Sequence, residues 1–263
     1  MTPHRKHRVS IALSLLLLAI VSLLLLGSSG GGQVSTQGAA PPKRTHRVLF
    51  VGNSLTYTNQ MPLIVEALAK SAGDSLEVSS VTLPGANLQD LWESGAALTE
   101  IGRGGWTVVV LQQGPSSLPE SRVDLRLWTK NFAERIRKAG AQPALYMVWP
   151  SKDRLEFLDQ VSLSYTLAAQ DVRGMLFPAG ETWRAAWRRD PNAPLYGPDD
   201  FHPSVAGSYA AALSIYGVLF RKPLQGLPAS LRLRDGTTVD VAPNLAALLQ
   251  EAATEANAKF GKK

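Results

Sequence analysis

Two short segments, far apart in the chain, contain the residue types of a nucleophilic hydrolase. The first, Gly52-Asn53-Ser54-Leu55-Thr56, follows the apolar run 47–51 and places a serine just past a candidate strand. The second, Asp199-Asp200-Phe201-His202-Pro203-Ser204, places an acid three residues before a histidine. A serine, a histidine and an acid are the nucleophile, the base and the group that orients the base in serine hydrolases. We therefore expect Ser54, His202 and Asp199 to form a catalytic triad.

His202 is the candidate base because the chain offers few histidines. The three others are His4, His7 and His46. We place these three in the amino-terminal segment and the linker that follows it, so His202 is the only histidine expected in the core. A serine hydroxyl needs such a base within hydrogen-bond distance. Asp199 could turn back within one loop to accept a hydrogen bond from the imidazole, and Asp200 is the competing acid.

Each of these residues also has a structural interpretation. Ser54 could cap a helix, because serine is favoured at that position, and His202 could be an ordinary turn residue. Ser116 and Ser117 are rival nucleophiles. Ser117 lies three residues before Glu120, which is the spacing of a capping box, so we assign both serines structural roles.

The tetrahedral intermediate of such a reaction needs hydrogen-bond donors aimed at its oxyanion. The candidates are the backbone N–H groups of Ser54 and Gly85 and the side-chain amide of Gln112, with Gln113 as the alternative to Gln112. A glycine at position 85 would let the backbone approach the reacting carbonyl closely, although it could also be a simple turn residue. Asn87 is a further amide near this edge, where it could contact substrate or cap the next helix.

Several aromatic residues are candidates for the substrate pocket or for the core. Tyr57 and Trp149 come just past strand ends and could contact the substrate. Trp183 and Trp187 lie one helical turn apart, a spacing more typical of core residues.

We predict no metal and no cofactor, because the sequence has no cysteine, no paired histidines, no Gly-x-Gly-x-x-Gly and no P-loop. The Gly-x-Ser-x-Gly motif of α/β-hydrolases is also absent.

From residue 47 onward, short apolar runs alternate with segments of helical apolar spacing. The predicted strands are residues 48–51, 76–83, 106–111, 144–149 and 175–177. The predicted helices are residues 61–72, 88–98, 125–139, 154–169, 181–188 and 205–220. This alternation predicts an α/β fold in which helices cover both faces of a parallel sheet. Ligands bind at the carboxyl ends of the strands in such a sheet, where the candidate site residues would meet.

The end of the chain has a different pattern. Residues 230–233 and 237–241 flank Asp235-Gly236, a dipeptide typical of hairpin turns. Residues 246–258 then have the spacing of an amphipathic helix. This segment is too short for a core of its own. We therefore predict that residues 226–263 form an appendage that packs on a domain of residues 47–225.

The first residues have the composition of an export signal. A basic cluster at residues 4–8 precedes the uncharged, leucine-rich run 9–26, and small residues follow at 27–32. The run is long for a signal peptide and just long enough to cross a bilayer. We predict a signal peptide or membrane anchor at residues 1–30, a linker at residues 31–46, and a periplasmic or extracellular domain. The alternative is a buried core helix.

The charge and cysteine content exclude some function classes. The chain of 263 residues has a net charge of +6, which falls to +3 without residues 1–33, whose three basic residues have no acidic counterpart. This excess is small and scattered along the sequence, so we predict no nucleic-acid partner. Because there is no cysteine, an exported domain would have to fold without disulfides.

Together these motifs resemble the SGNH hydrolases, also called the GDSL esterase/lipase superfamily, over roughly residues 47–220. The resemblance rests on Gly52-Asn53-Ser54-Leu55 for the first block, Gly85 for the second and Asp199-x-x-His202 for the last. Asn53 replaces the aspartate of the usual Gly-Asp-Ser-Leu. The third block departs further, because Gln112-Gln113-Gly114 stands where the family has Gly-x-Asn-Asp.

The resemblance implies a fold, a reaction and a substrate class. The fold is a three-layer αβα sandwich of the flavodoxin-like, SGNH hydrolase type. The reaction is hydrolysis of small acyl esters, of the lipid or acetylated-carbohydrate type, through an acyl-enzyme at Ser54. The alternatives are an acyltransferase on the same site and an inactive SGNH-like binding protein, since the third block is altered.

Overall fold

Five strands form the central sheet of the computed structural model, which describes residues 45–261. The strands are β1 (His46–Gly52), β2 (Leu76–Thr82), β3 (Val108–Leu111), β4 (Gln142–Tyr146) and β5 (Met175–Phe177). They lie in the order β2-β1-β3-β4-β5, and every adjacent pair is parallel. The predicted parallel sheet is confirmed.

Helices cover both faces of this sheet. They are α1 (Ser54–Tyr57), α2 (Met61–Ser71), α3 (Leu88–Glu93), α4 (Ala96–Gly102), α5 (Pro119–Lys138), α6 (Leu158–Asp171), α7 (Ala179–Arg189), α8 (Val205–Phe220) and α9 (Pro243–Phe260). One layer contains α2, α7, α8 and α9, which pack on one another, and the other contains α3, α4, α5 and α6. The predicted three-layer αβα sandwich is therefore confirmed.

The strands are apolar because helices bury both of their faces. All four residues of β3 are buried, as are the last five of β1. The carboxyl ends of β1 and β3 lie side by side, since Val51 pairs with Leu111. This register brings the loops after the two strands together at one edge, which we call the carboxyl edge. The opposite edge, where the strands begin, is the amino edge.

Several predicted boundaries differ from the structure. The predicted helix 125–139 begins earlier, at Pro119, a position where proline is favoured because its missing N–H would have no helical partner. The predicted helix 88–98 is two helices, α3 and α4, separated at Gly95, whose φ of 73° is in the left-handed region. The predicted helix 154–169 begins as the 3₁₀ segment Lys152–Phe157.

His46 lies in the sheet and not in the linker that the sequence analysis assigned to it. It is the first residue of β1 and pairs with Leu76. The side chain packs edge-on to Phe220, with ring centroids 5.1 Å apart. Because His46 is at the amino edge, the seven-residue strand separates it from Ser54. The choice of His202 as the candidate base is therefore unaffected.

The carboxyl-terminal segment packs on the rest of the fold. The antiparallel strands β6 (Ser230–Arg232) and β7 (Thr238–Asp240) form the hairpin, and α9 packs on α7 and α8. Gln250 of α9 donates hydrogen bonds to Tyr209 Oη at 3.1 Å and to Leu227 O at 2.8 Å. Apolar residues of α9 belong to the same buried cluster as the sheet. Residues 42–263 form one compact unit.

No helix within residues 45–261 is long and apolar enough to span a bilayer. The predicted signal or anchor at residues 1–30 and nearly all of the predicted linker lie outside the described residues.

Candidate active site

Ser54 is the first residue of α1 and follows β1 after one residue. That residue, Asn53, caps the helix by accepting a hydrogen bond from Leu55 N at 3.1 Å. The half-buried Ser54 hydroxyl lies at the carboxyl edge, where its Oγ is 2.8 Å from His202 Nε2. A proton can therefore pass directly from the serine to the imidazole.

Asp199 holds the other side of the imidazole. Its Oδ2 lies 2.5 Å from His202 Nδ1, and its Oδ1 accepts hydrogen bonds from the backbone N–H groups of His202 at 2.9 Å and Phe201 at 3.2 Å. These contacts, the imidazole bond first among them, lower the pKa of Asp199 to about 2. The structure thus brings Ser54, His202 and Asp199 into one hydrogen-bonded line.

Asp200 is directed away from the imidazole. Its carboxylate forms an ion pair with Lys152 Nζ at 3.0 Å, and its carbonyl accepts a hydrogen bond from Lys152 N at 2.9 Å. Asp200 has a φ of 54°, in the left-handed region that aspartate and asparagine tolerate better than most residues. The turn therefore separates the two carboxylates, and only Asp199 contacts His202.

Hydrogen bonds fix the loop that carries His202. Gly197 N donates to His202 O at 2.7 Å. Trp149 Nε1 donates to Phe201 O at 3.1 Å, and the Trp149 ring stacks on Trp183 with centroids 3.5 Å apart. Trp149 is fully buried, so the expectation that it contacts the substrate is wrong. It instead supports the residue next to His202.

Asn59 connects the serine side of the site to the histidine side, a role that the sequence analysis missed. Its Nδ2 donates to Pro203 O and to Ser208 Oγ, both at 2.9 Å. Asn59 lies in the short turn after α1 and has a φ of 53°, in the left-handed region that asparagine tolerates better than most residues. No sequence signal indicated this role, because the bond joins segments 144 residues apart.

Gln112 is part of a buried network under the nucleophile. Its Oε1 accepts hydrogen bonds from Asn53 N at 2.9 Å and Thr56 Oγ1 at 2.7 Å. Its Nε2 donates to Asn53 Oδ1 at 2.9 Å and to Gln113 O at 2.5 Å. Both amide hydrogens are therefore used within the protein. This geometry disagrees with the expectation that Gln112 donates to an oxyanion.

The same network explains the glycine at position 52. A Cβ on Gly52 would lie 2.4 Å from both Gln112 Oε1 and Thr56 Oγ1, which is closer than atoms can approach. Asn53 extends the network to the loop after β2, since its Nδ2 donates to Ala86 O at 2.9 Å. The carboxamides of Asn53 and Gln112 thus join the loops after β1, β2 and β3 beneath Ser54.

Replacement of Gln112 by alanine should therefore destabilise the fold. The change leaves the buried Asn53 N–H and Thr56 hydroxyl without their acceptor, and each such group costs about 1–3 kcal/mol. We expect urea unfolding to show a loss of about 2–6 kcal/mol in the free energy of unfolding. The control is Gln89→Ala, a half-buried glutamine whose side chain bonds to Glu93, which should change stability by less than about 0.5 kcal/mol. A lower kcat at unchanged stability would instead support the oxyanion role.

Gln113 and Ser116 also have structural contacts. Gln113 Oε1 accepts from Leu88 N at 3.0 Å, and its Nε2 donates to Ser116 Oγ at 2.8 Å. Ser116 Oγ donates onward to Gly114 O at 3.2 Å. The expected capping box between Ser117 and Glu120 is not formed; instead Ser121 Oγ accepts from Leu118 N at 3.2 Å.

The other oxyanion candidates keep free donors. Within the described part of the chain, the backbone N–H groups of Ser54 and Gly85 donate no hydrogen bond to the protein. Gly85 is exposed and has a φ of 67°, a conformation that glycine adopts without strain. Asn87 caps α3 by accepting from Asp90 N at 2.9 Å, while its Nδ2 donates to no other residue between 45 and 261.

Tyr57 lies one helical turn after Ser54 and is 41% exposed. It borders a cleft of about 300 Å³ between β2 and the β6–β7 hairpin. Arg234 of the hairpin lines this cleft and pairs with Glu66 at 3.2 Å. Tyr57 is thus placed where it could contact a substrate, whereas Trp183 is buried in the core, as expected.

The described residues contain no group of three or more His, Asp or Glu side chains that could hold a metal ion.

Solved structures resemble this chain, although no family profile and no curated protein matches it. A DUF4886 family protein from Bacteroides uniformis has a TM-score of 0.68 at 17% identity, covering 81% of this chain and 95% of that protein. A proposed SGNH hydrolase from Slackia heliotrinireducens has a TM-score of 0.53 at 28% identity, covering 66% and 98%. A lipase/acylhydrolase from Enterococcus faecalis has a TM-score of 0.52 at 12% identity, covering 69% and 100%.

Proposed function

We propose that this chain, which has the SGNH hydrolase fold, is a serine ester hydrolase that works through an acyl-enzyme at Ser54. One observation carries the proposal: Ser54 Oγ, both ring nitrogens of His202 and a carboxylate oxygen of Asp199 form a continuous hydrogen-bonded line. The line gives the serine a base, and it gives the base an orienting anion.

In the acylation step, His202 Nε2 takes the Ser54 proton as Oγ bonds to the ester carbonyl carbon. Asp199 keeps the proton on Nδ1 and stabilises the imidazolium that forms. The free N–H groups of Ser54 and Gly85 donate to the oxyanion, with the Asn87 amide as the third donor in place of Gln112. The imidazolium then protonates the leaving alcohol, and the acyl group remains on Ser54.

In the second step, His202 Nε2 takes a proton from a water molecule as the water oxygen bonds to the acyl carbon. The imidazolium then returns that proton to Ser54 Oγ as the bond between Oγ and the acyl carbon breaks, so the acid is released and the free serine is restored. The site is open enough for water to enter, because the side chains of His202 and Asp199 are 36% and 50% exposed. This openness favours hydrolysis over transfer of the acyl group to another alcohol. The substrates we propose are esters of small acyl groups on lipids or carbohydrates, and the likeness to a lipase/acylhydrolase supports the lipid class.

The decisive test is labelling with a fluorophosphonate, a probe that reacts with activated serines. We expect stoichiometric labelling of Ser54, located by peptide mass spectrometry, with parallel loss of p-nitrophenyl acetate hydrolysis. Free acetate should be the main product when a sugar acceptor is added. Acceptor-dependent transfer would identify an acyltransferase instead, and absence of both labelling and turnover would indicate a binding protein.

We also propose that the folded domain lies outside the cytoplasm, because a basic cluster precedes the apolar run 9–26. Protease treatment of intact spheroplasts should digest the domain in that case. A protected domain in intact spheroplasts that becomes sensitive after lysis would place it inside the cell.

A further inference from the structure

The amino edge of the sheet gathers cations that are scattered along the sequence. Helices in both layers end at this edge, and each end carries lysine or arginine. Seven of these cations are exposed and have no ion pair with any described residue. They are Lys70, Arg135, Arg137, Lys138, Arg173, Arg221 and Lys259. We call these seven residues the basic face.

The acidic residues near the basic face do not neutralise it. Asp74, Glu77 and Glu100 pair with Lys222, Arg47 and Arg103, three further cations of the same edge. Asp171 pairs with Arg126 and Lys130. Glu134, one turn before Lys138, also lies near this edge and forms no ion pair with any residue between 45 and 261. The basic face therefore keeps a clear positive excess.

A cation in the last turn of a helix is favoured by the helix dipole, so single residues of this kind need no function. The dipole does not explain why apolar clefts open between these cations. One cleft, of about 580 Å³, lies between the ends of α6 and α9 and is lined by Leu176, Phe260, Arg173 and Lys259. A second, of about 450 Å³, lies between α4 and α5 beside Arg135 and Lys138.

We propose that the basic face binds the surface of an anionic phospholipid bilayer. The cations would contact lipid phosphates, and the two clefts offer apolar walls beside them, which a nucleic-acid backbone does not need. The chain also enters the fold at this edge, because β1 begins at His46, and the apolar run 9–26 precedes it in sequence.

This orientation has a consequence for the active site. The seven residues of β1 span about 23 Å between the two edges of the sheet. With the basic face on the bilayer, Ser54 faces away from it. The substrate would then come from the aqueous side and not from the supporting membrane.

The test uses residues 42–263, because this part forms one compact unit with its own core and lacks the apolar run. We expect it to float with vesicles of phosphatidylglycerol and phosphatidylcholine, but not with vesicles of phosphatidylcholine alone. Added salt should weaken the binding, because it screens the charges. The double variant Lys70→Gln/Lys138→Gln removes one cation from each layer. It should lower the partition coefficient about 25-fold, at about fivefold per cation.

The matched control removes the same charge away from the amino edge. Arg154→Gln/Arg232→Gln changes two exposed arginines, one after β4 and one in the β6–β7 hairpin, and should leave vesicle binding within about twofold. Equal losses in both variants would mean that net charge alone drives binding and would overturn the proposal. Absence of binding to the anionic vesicles would also overturn it. So would binding to a DNA duplex that Lys70→Gln/Lys138→Gln weakens by the same factor as it weakens vesicle binding. Circular dichroism checks that both variants are folded.

Discussion

Ser54→Ala should abolish ester hydrolysis and leave the fold intact. We expect kcat/KM for p-nitrophenyl acetate to fall by about 10⁴-fold or more, because the hydroxyl that forms the acyl-enzyme is gone. The stability should change by less than about 0.5 kcal/mol. The reason is that, among residues 45–261, His202 is the only side chain with which the half-buried Ser54 hydroxyl forms a hydrogen bond. Fluorophosphonate labelling should disappear together with the activity.

The matched controls are the two serines after β3. Ser116→Ala removes the hydroxyl that holds Gln113 Nε2, so it should lower stability while the labelling of Ser54 continues. Ser117→Ala should change neither property. If Ser54→Ala retained activity and one of these variants lost it, the nucleophile would have to be reassigned to the loop after β3.

The sheet could be predicted from sequence because its strands are buried on both faces. A run such as Val108–Leu111 is apolar throughout, and a helical segment follows each such run, so period and order together define a parallel sheet. The helix beginning at Pro119 was predicted six residues late. Its first turn is polar and partly exposed, so apolar spacing alone could not locate the start. Proline at the first helical position was the available signal.

The triad candidates could be predicted because their chemistry is local. Asp199 and His202 lie in one turn, and Ser54 directly follows a strand, so residue type and position were sufficient to nominate them. The roles of Gln112 and Trp149 were not local. A glutamine after a buried strand looks the same in sequence whether its amide faces substrate or, as here, the Asn53 carboxamide. The Trp149 indole N–H likewise donates its hydrogen bond to the Phe201 carbonyl, 52 residues away in sequence.

The charge distribution on the surface could not be predicted from the sequence either. The small excess of basic residues is spread over the whole sequence, and the seven members of the basic face belong to five helix ends. Only the parallel topology, which returns each helix to the amino edge, places them together. Net charge was therefore a poor guide to how strongly one face is charged.

Asp199→Asn should lower kcat/KM by up to about 10⁴-fold with little change in the fold. The asparagine oxygen can still accept the backbone N–H groups of His202 and Phe201, which Asp199 Oδ1 now holds. Its NH₂ group would face His202 Nδ1 and donate to it. The imidazole would then carry its proton on Nε2, the nitrogen that must accept the Ser54 proton. The change therefore removes the base by fixing the wrong tautomer.

The control, Asp200→Asn, keeps the loop conformation, since asparagine tolerates the left-handed φ of 54° at this position. It removes only an exposed ion pair with Lys152, so kcat/KM should change less than about threefold. The Asp199 carboxylate stays ionised in ordinary assays, because its pKa is lowered from 3.8 to about 2, chiefly by the hydrogen bond to His202. Its contribution to stability is complete above about pH 3.8 and is lost as the pH falls through about 2. A larger loss of activity at Asp200 than at Asp199 would show that the loop rearranges in solution and that Asp200 orients the base.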